Sequence, residues 1–197
     1  MIRIYGSGGA RSRRVLWTCE ETGAPYEFVA LKMPTRENHP EFLAISPAGA
    51  LPAIEHGDVR MVESLAISEY VARLQDSDLV VGPQEAGFPD YLQYLWFGES
   101  TLAPPLTWAR RLGEHAPAVA ELGRATFVQR QAVLERALSD GRAYLAAGRF
   151  TLADISVGYT LGLARLFGLG ELIAPSLADY DARLQARPAY QRAYAVA

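Results

Sequence analysis

LPAIEHGDVRMVESLAI, residues 51–67, is the stretch on which the fold turns. Pro52 stands between Leu51 and Ala53 in what otherwise reads as a short buried strand. Proline has no N–H and is confined in sheets to edges, strand starts and bulges. The alternation reverses at His56-Gly57-Asp58, where Gly and Asp suit positive-φ positions, so 51–62 reads as a hairpin. A helix follows over 64–75, with Ile67, Tyr70, Val71 and Leu74 at the i, i+3, i+4, i+7 positions of one face. Pro52 can simply open the strand. It can also leave the N–H and C=O of Leu51 free to take an extended peptide, as a sheet edge takes a strand. A cis X–Pro bond there would aim that backbone outward. Ser64 is a good N-cap, and a helix start offers free N–H groups and partial positive charge to a carboxylate. Glu63 beside it can receive an ammonium group, so the pair suits an amino-acid head; the plainer reading is a cap next to an exposed Glu.

On the N-terminal side, "IRIY" (2–5) reads as a strand, "RSRRVLWTCEETG" (11–23) as a helix stopped by Gly23, and "EFVALK" (27–32) as a second strand. Such a β-α-β unit favours a parallel pair with a right-handed crossover. "YGSGGARSRR" (5–14) looks at first like a dinucleotide loop, but Arg11 occupies the place of the third glycine. What is left is a loop with hydroxyls at Tyr5, Ser7 and Ser12 beside a helix N-terminus. A hydroxyl there can donate to a thiolate, and the helix dipole favours that charge. The alternative is a turn, a cap at Ser12 and solvated arginines.

On the C-terminal side, the prolines, glycines and acids of 76–89 read as a linker, and no convincing strand follows. Helices are expected over 90–102, running towards Pro104-Pro105; over 127–148, with Leu134, Leu138 and Leu145 on one face; over 151–168, apolar and central; and over 176–187, ending before Pro188. Thr151 and Asp154 form a capping box and Phe150 and Ile155 a hydrophobic staple, a structural start for the central helix. The expected organisation is a small α/β domain (1–76), a linker (77–88) and an all-helical domain (89–197).

Composition narrows the function classes. Hydrophobic residues make up 50% and charged residues 21%, with net charge −3, which gives no nucleic-acid footprint. No apolar run reaches the length of a membrane span, and "MIRIYGSGG" lacks a signal-peptide layout. The single cysteine, Cys19, excludes an internal disulfide and a Cys-x-x-Cys, and a cytoplasmic setting is expected. His39, His56 and His115 show no metal spacing. There is no Walker loop and no Gly-x-Ser-x-Gly elbow.

The β-α-β unit, "ALPAI", "VESLAI", the linker and "FTLADIS" together make the chain similar to the cytosolic glutathione transferases, including bacterial ones, over essentially its whole length. The resemblance implies a thioredoxin-like N-terminal domain, an all-α helical-bundle C-terminal domain and a homodimer. It implies glutathione as co-substrate and no metal. Pro52 matches the family's cis-proline, Leu51 the residue whose backbone pairs with the cysteinyl part of glutathione, and Glu63 and Ser64 the pair that holds its γ-glutamyl end. The catalytic slot departs from the pattern. Tyr5 occupies the place used by tyrosine-type classes, whereas the serine and cysteine types place their residue near Gly9, Ala10 and Arg11, none of which carries a hydroxyl or thiol; Ser12 and Ser7 lie close by. Ala50 replaces the Gln, Lys or Arg often found there. The implied reaction is attack of the glutathione thiolate on a small hydrophobic electrophile, as in detoxification. Phe97, Ser100, Leu106 and Trp108 are candidates for a second-substrate pocket; ordinary bundle packing explains each equally. A non-catalytic binding or scaffold protein of the same fold, or a glutathione-dependent isomerase, dehalogenase or peroxidase, are the alternatives.

Overall fold

The computed structural model describes residues 1–113 and 115–196. The chain forms two compact units, Met1–Val80 with Ala186–Ala197, and Val81–Gln185. No described helix is long and apolar enough to cross a membrane.

The first unit holds β1 (Ile2–Gly6), α1 (Ser12–Thr22), β2 (Tyr26–Ala30), a single helical turn α2 (Thr35–Asn38), a 3₁₀ turn (Pro40–Ala44), β3 (Ala53–His56), β4 (Val59–Val62) and α3 (Ser64–Leu74). The sheet order is β2-β1-β3-β4, with β1 and β2 parallel and the other neighbours antiparallel. Strand alternation sorts the side chains. Ile2, Ile4 and Gly6 are buried, while Arg3 and Tyr5 face the other way. The buried face carries α1: a Cβ on Gly6 would lie 2.6 Å from Ser12 Oγ, so only glycine lets the helix approach this closely. Tyr5 on the opposite face meets Phe42 of the 3₁₀ turn, ring centroids 5.4 Å apart. The hairpin turns at Gly57-Asp58 with His56 opposite Val59, and the positive φ (59°) falls to Gly57 alone. Gly23 ends α1 in the left-handed conformation, as expected.

The second unit is all helix: α4 (Phe88–Trp96), a π-helical turn (Phe97–Leu102), α5 (Ala103–Arg111), α6 (Pro117–Arg130), α7 (Ala132–Leu138), α8 (Leu152–Leu166), 3₁₀ turns Gly170–Leu172 and Pro175–Leu177, and α9 (Ala178–Gln185). The last helix, α10 (Pro188–Ala195), belongs to the first unit. The architecture is therefore a thioredoxin-like α/β unit plus a helical bundle.

Three helix expectations are corrected. The helix expected to stop near Pro104-Pro105 continues through them, because proline is tolerated in a first turn. The π turn leaves carbonyls out of the ladder, and side chains satisfy them. Ser156 Oγ donates to Leu95 C=O (2.7 Å) and Thr160 Oγ1 to Gly98 C=O (2.9 Å). Arg130 Nη1 donates to Thr101 C=O (2.5 Å), the group four residues before Pro105, which has no N–H to offer it. The helix expected over 127–148 begins earlier, at Pro117, breaks at the fully buried Gln131, and ends at Leu138. Asp140 stops it: its carboxylate takes the N–H of Arg142 (3.0 Å) in an Asx turn, and Gly141 follows at φ 82°. The helix expected over 176–187 ends at Gln185, and Pro188 starts α10 instead of closing the chain's helices.

The capping box of α8 forms. Thr151 Oγ1 accepts from Ala153 N–H (3.3 Å), and Asp154 Oδ2 accepts from Thr151 N–H (2.9 Å). Asp154 is fully buried and also accepts from Leu145 N–H (3.0 Å) and Tyr180 O–H (2.9 Å). One carboxylate thus ties the 139–150 segment and α9 to the start of the central helix.

Candidate functional site

Strand register brings three separate segments to one end of the sheet. Tyr5, Ala53 and Val62 lie side by side across β1, β3 and β4. The next residues outward are Gly6, Pro52 and Glu63, so the 6–12 loop, the Leu51–Pro52 step and the start of α3 emerge together. The Leu51–Pro52 bond is cis, and Pro52 precedes the strand it introduces. The N–H and C=O of the half-buried Leu51 bond to nothing among the described residues. Both readings of Pro52 therefore hold at once: it opens β3, and it leaves a free peptide unit at the sheet's end.

At the start of α3, Glu63 is exposed and holds a left-handed backbone (φ 73°, ψ 106°), a costly conformation for a residue with a Cβ. Ser64 follows, 4% exposed. The first internal bond of the helix runs from Ile67 N–H to Glu63 C=O (2.9 Å), so the N–H groups of Ser64, Leu65 and Ala66 precede the ladder. Ser64 Oγ accepts from Nη1 of Arg14 (3.3 Å), an arginine with no exposed surface. The expectation of solvated arginines in 11–14 fails for Arg14. Nothing in the sequence pattern marked it, since its burial needs helices that are distant in the chain.

The three hydroxyl candidates separate in the structure. Tyr5 O–H donates to Glu55 Oε2 at 2.6 Å on the sheet face away from α1. Burial and this carboxylate raise the Tyr5 pKa, and the same bond holds Glu55 below the ordinary carboxylate range. Ser12 is fully buried, and its O–H donates to Ser7 C=O at 3.3 Å. Ser7 is half-buried, and its hydroxyl has no partner among the described residues. Cys19 is buried in α1, its thiol pushed up to about 12 by burial, which suits packing rather than reactivity. Among the described residues no group of three His, Cys, Asp or Glu could hold a metal ion.

The four second-pocket candidates lie in the helical unit and are not equivalent. Leu106 is fully buried and Phe97 nearly so, so both belong to that unit's packing. Ser100 is exposed, with its O–H on Trp96 C=O (2.7 Å), and Trp108 is 37% exposed.

Comparison with known proteins matches residues 2–73 to the glutathione S-transferase N-terminal domain and residues 117–194 to the glutathione S-transferase C-terminal domain. The chain belongs to the glutathione S-transferase family. Among its relatives is glutathione S-transferase F7 of Arabidopsis thaliana, 28% identical over 94% of this chain and 97% of that protein. Another is elongation factor 1-gamma 3 of rice, 28% identical over 79% of this chain and 38% of that one. Among solved structures, a glutathione transferase family member from Pseudomonas fluorescens, with two glutathione bound, superposes with a TM-score of 0.86 at 26% identity, over 98% of this chain and 92% of that chain. The match spans 34%, 38% and 51% of the length of the first three curated relatives.

Proposed function

We propose that this chain binds glutathione at the sheet end and activates its thiol for attack on a small hydrophobic electrophile. The observation that carries the reading is the register-driven meeting of the free Leu51 peptide unit, the Glu63–Ser64 helix start and the 6–12 loop. In this reading the cysteinyl backbone of glutathione pairs with Leu51 beside Pro52, as an added strand pairs with an edge. The γ-glutamyl carboxylate sits on the N–H groups and hydroxyl of Ser64, and its ammonium faces Glu63. The thiol then lies by the 6–12 loop and the N-terminus of α1. A free thiol has a pKa of about 8.5, which a hydroxyl donor and the helix dipole lower. We assign the donor to Ser7, whose hydroxyl is uncommitted; Ser12 and Tyr5 hold the loop and the sheet through Ser7 C=O and Glu55. Thiolate forms, attacks the electrophile's carbon, and the leaving group departs with the electron pair of the broken bond. Of the four second-pocket candidates, Ser100 and Trp108 keep surface for the electrophile. A homodimer belongs to this reading on the strength of the family resemblance.

The test is calorimetric titration with glutathione, with the thiolate followed by ultraviolet difference absorption across pH. The expected result is binding, with thiolate present well below the pH at which free glutathione ionises. Ser7→Ala should move that transition towards the free value, while Ser12→Ala and Tyr5→Phe should move it less. Ser64→Ala should raise KM for glutathione with little effect on kcat. Absence of binding would overturn the reading. Binding without a thiolate signal would favour the second reading, a glutathione-binding scaffold, to which the likeness to a protein named as an elongation factor lends support.

A further inference from the structure

Two buried hydroxyls hold the loop that leads into Leu51. Ser46 has no exposed surface, and Thr35 is 2% exposed. Ser46 Oγ accepts from Ala50 N–H (3.1 Å) and gives its one proton to Ala50 C=O (3.0 Å). Thr35 Oγ1 donates to Gly49 C=O (2.5 Å). Gly49 turns the chain at φ 66° with its N–H on Ser46 C=O (2.8 Å), and a Cβ there would lie 2.9 Å from Thr35 Oγ1. Ala50 itself is exposed. Water would satisfy its N–H and C=O at little net cost, so the need to pair buried groups does not account for this clamp.

Peptide planarity carries the effect one residue further. The Ala50–Leu51 peptide is trans, so Ala50 C=O and Leu51 N–H lie in one rigid plane and point in opposite directions. With Ala50 C=O turned onto Ser46, Leu51 N–H is turned away from it. The preceding plane, which holds Gly49 C=O and Ala50 N–H, is fixed by Thr35 at one edge and Ser46 at the other. Of the four polar groups in these two planes, three end on buried hydroxyls. The fourth, Leu51 N–H, has no partner among the described residues. Resting on the glutathione-binding reading above, we infer that Ser46 and Thr35 are positioning residues that aim Leu51 N–H at the cysteinyl carbonyl of the ligand. Neither touches substrate. The donor is oriented before the ligand arrives, so binding orders no part of this loop.

A merely structural role predicts that loss of either hydroxyl weakens all ligands alike. An aiming role predicts a loss confined to ligands that carry the cysteinyl carbonyl. The experiment titrates the full chain with glutathione, with γ-glutamylcysteine amide, which keeps that carbonyl, and with γ-glutamylcysteamine, which lacks it. Ser46→Ala removes both bonds to Ala50; Thr35→Val removes the hydroxyl at constant shape, and Thr35→Ser keeps it. A neutral hydrogen bond corresponds to roughly a 3- to 10-fold change in affinity. Ser46→Ala should weaken the first two ligands by about that factor and leave γ-glutamylcysteamine within about twofold. Thr35→Val should act in the same direction by less, and Thr35→Ser should restore the native affinities. Equal losses for all three ligands would overturn the inference, as would unchanged glutathione binding in Ser46→Ala. Amide exchange in the unliganded chain tests the clamp by itself: Ala50 N–H should be protected and should exchange about tenfold faster or more in Ser46→Ala, while Leu51 N–H is unprotected in both. An unprotected Ala50 N–H in the native chain would overturn the inference. Loss of cooperative melting in both Ser46→Ala and Thr35→Val would assign the two hydroxyls to folding and equally overturn it. Failure of the unsubstituted chain to bind glutathione, with Ala50 protected, would instead bring down the reading on which the inference stands.

Discussion

Asp154 is the most demanding polar group in the helical unit, and replacing it with Asn gives a sharp test of how it is held. The carboxyl is fully buried and collects the N–H groups of Leu145 and Thr151 and the hydroxyls of Thr151 and Tyr180, at 2.9–3.2 Å. Burial disfavours the charged form; the four donors oppose it; burial wins, and the pKa rises from 3.8 to about 6. The sign follows from proton linkage. Between the unfolded and folded pKa values the folded state binds more protons, so the stability Asp154 contributes is fully present at acid pH and is lost as pH rises through about 6. Each pKa unit is about 1.4 kcal/mol, so the full span is about 3 kcal/mol, of which about 2 kcal/mol falls between about pH 4.5 and pH 7.5. Asn cannot ionise. Its amide nitrogen, a donor, must also face the backbone N–H of either Leu145 or Thr151, at a cost of about 1–3 kcal/mol. The unfolding free energy of the native chain minus that of Asp154→Asn should therefore be largest near pH 4.5 and shrink by about 2 kcal/mol towards pH 7.5. Taking the difference removes the surface carboxylates common to both chains. Urea unfolding followed by tryptophan fluorescence at a series of pH values measures it. A difference that grows with pH would refute the reasoning, because it would mean that the four donors hold the carboxylate below its ordinary range.

Three further substitutions test the packing that positions the site and the bundle. Gly123→Ala would place a Cβ 2.6 Å from Pro105 C=O and 2.9 Å from Ala109 N, both backbone, so α5 and α6 must part; a loss of about 1–3 kcal/mol in urea unfolding is expected. Arg130→Met leaves Thr101 C=O without its donor next to Pro105, and should cost about 1–2 kcal/mol and speed hydrogen exchange in the π turn. Glu21 accepts two bonds from Arg187 (2.6 and 2.8 Å) and one from Trp17 Nε1 (2.8 Å), so Glu21→Gln should destabilise by about 1–3 kcal/mol and free the amides of α10 to exchange, while exchange in α8 stays unchanged.

What the sequence disclosed divides along the range of the interactions involved. The hairpin, the Gly23 stop and the Thr151–Asp154 box are written within a few residues and formed as read, whereas of the α3 stripe Ile67 and Val71 are buried, Tyr70 is half-buried and Leu74 is exposed. The failures share a cause in distant partners. A helix through Pro104-Pro105 survives because Arg130, Ser156 and Thr160 supply donors from other helices, which no local window contains. The 127–148 helix was misjudged for a local reason that leucine periodicity masked: Asp140 and Gly141 prefer a turn, and Leu145 is buried because its N–H feeds Asp154, not because it lies on a helical face.

The site divides in the same way. Pro52, Glu63 and Ser64 were legible because turn and cap chemistry leaves marks on the residues themselves. The buried Arg14 was not, because its partner Ser64 lies 50 residues away, and α10 shows the same effect on the rest of α1. Residues Arg14 to Cys19 are buried in succession, so α1 is covered around much of its circumference and has lost the polar outer stripe that a helix on one face of a sheet normally shows. Tyr190 packs edge-on against Trp17 at 4.9 Å, Arg13 lies 4.6 Å over the Tyr194 ring, and Arg187 and Arg192 grip Glu21 and Glu20. This cover comes from a helix more than 160 residues away in the chain. The charges of 11–14 and the acids at 20–21 look solvated in the sequence because their partners are invisible there. With α10 seated, one side of α1 is a hydrogen-bonded and aromatic dock, while Arg14 is buried with its Nη1 on Ser64 of α3.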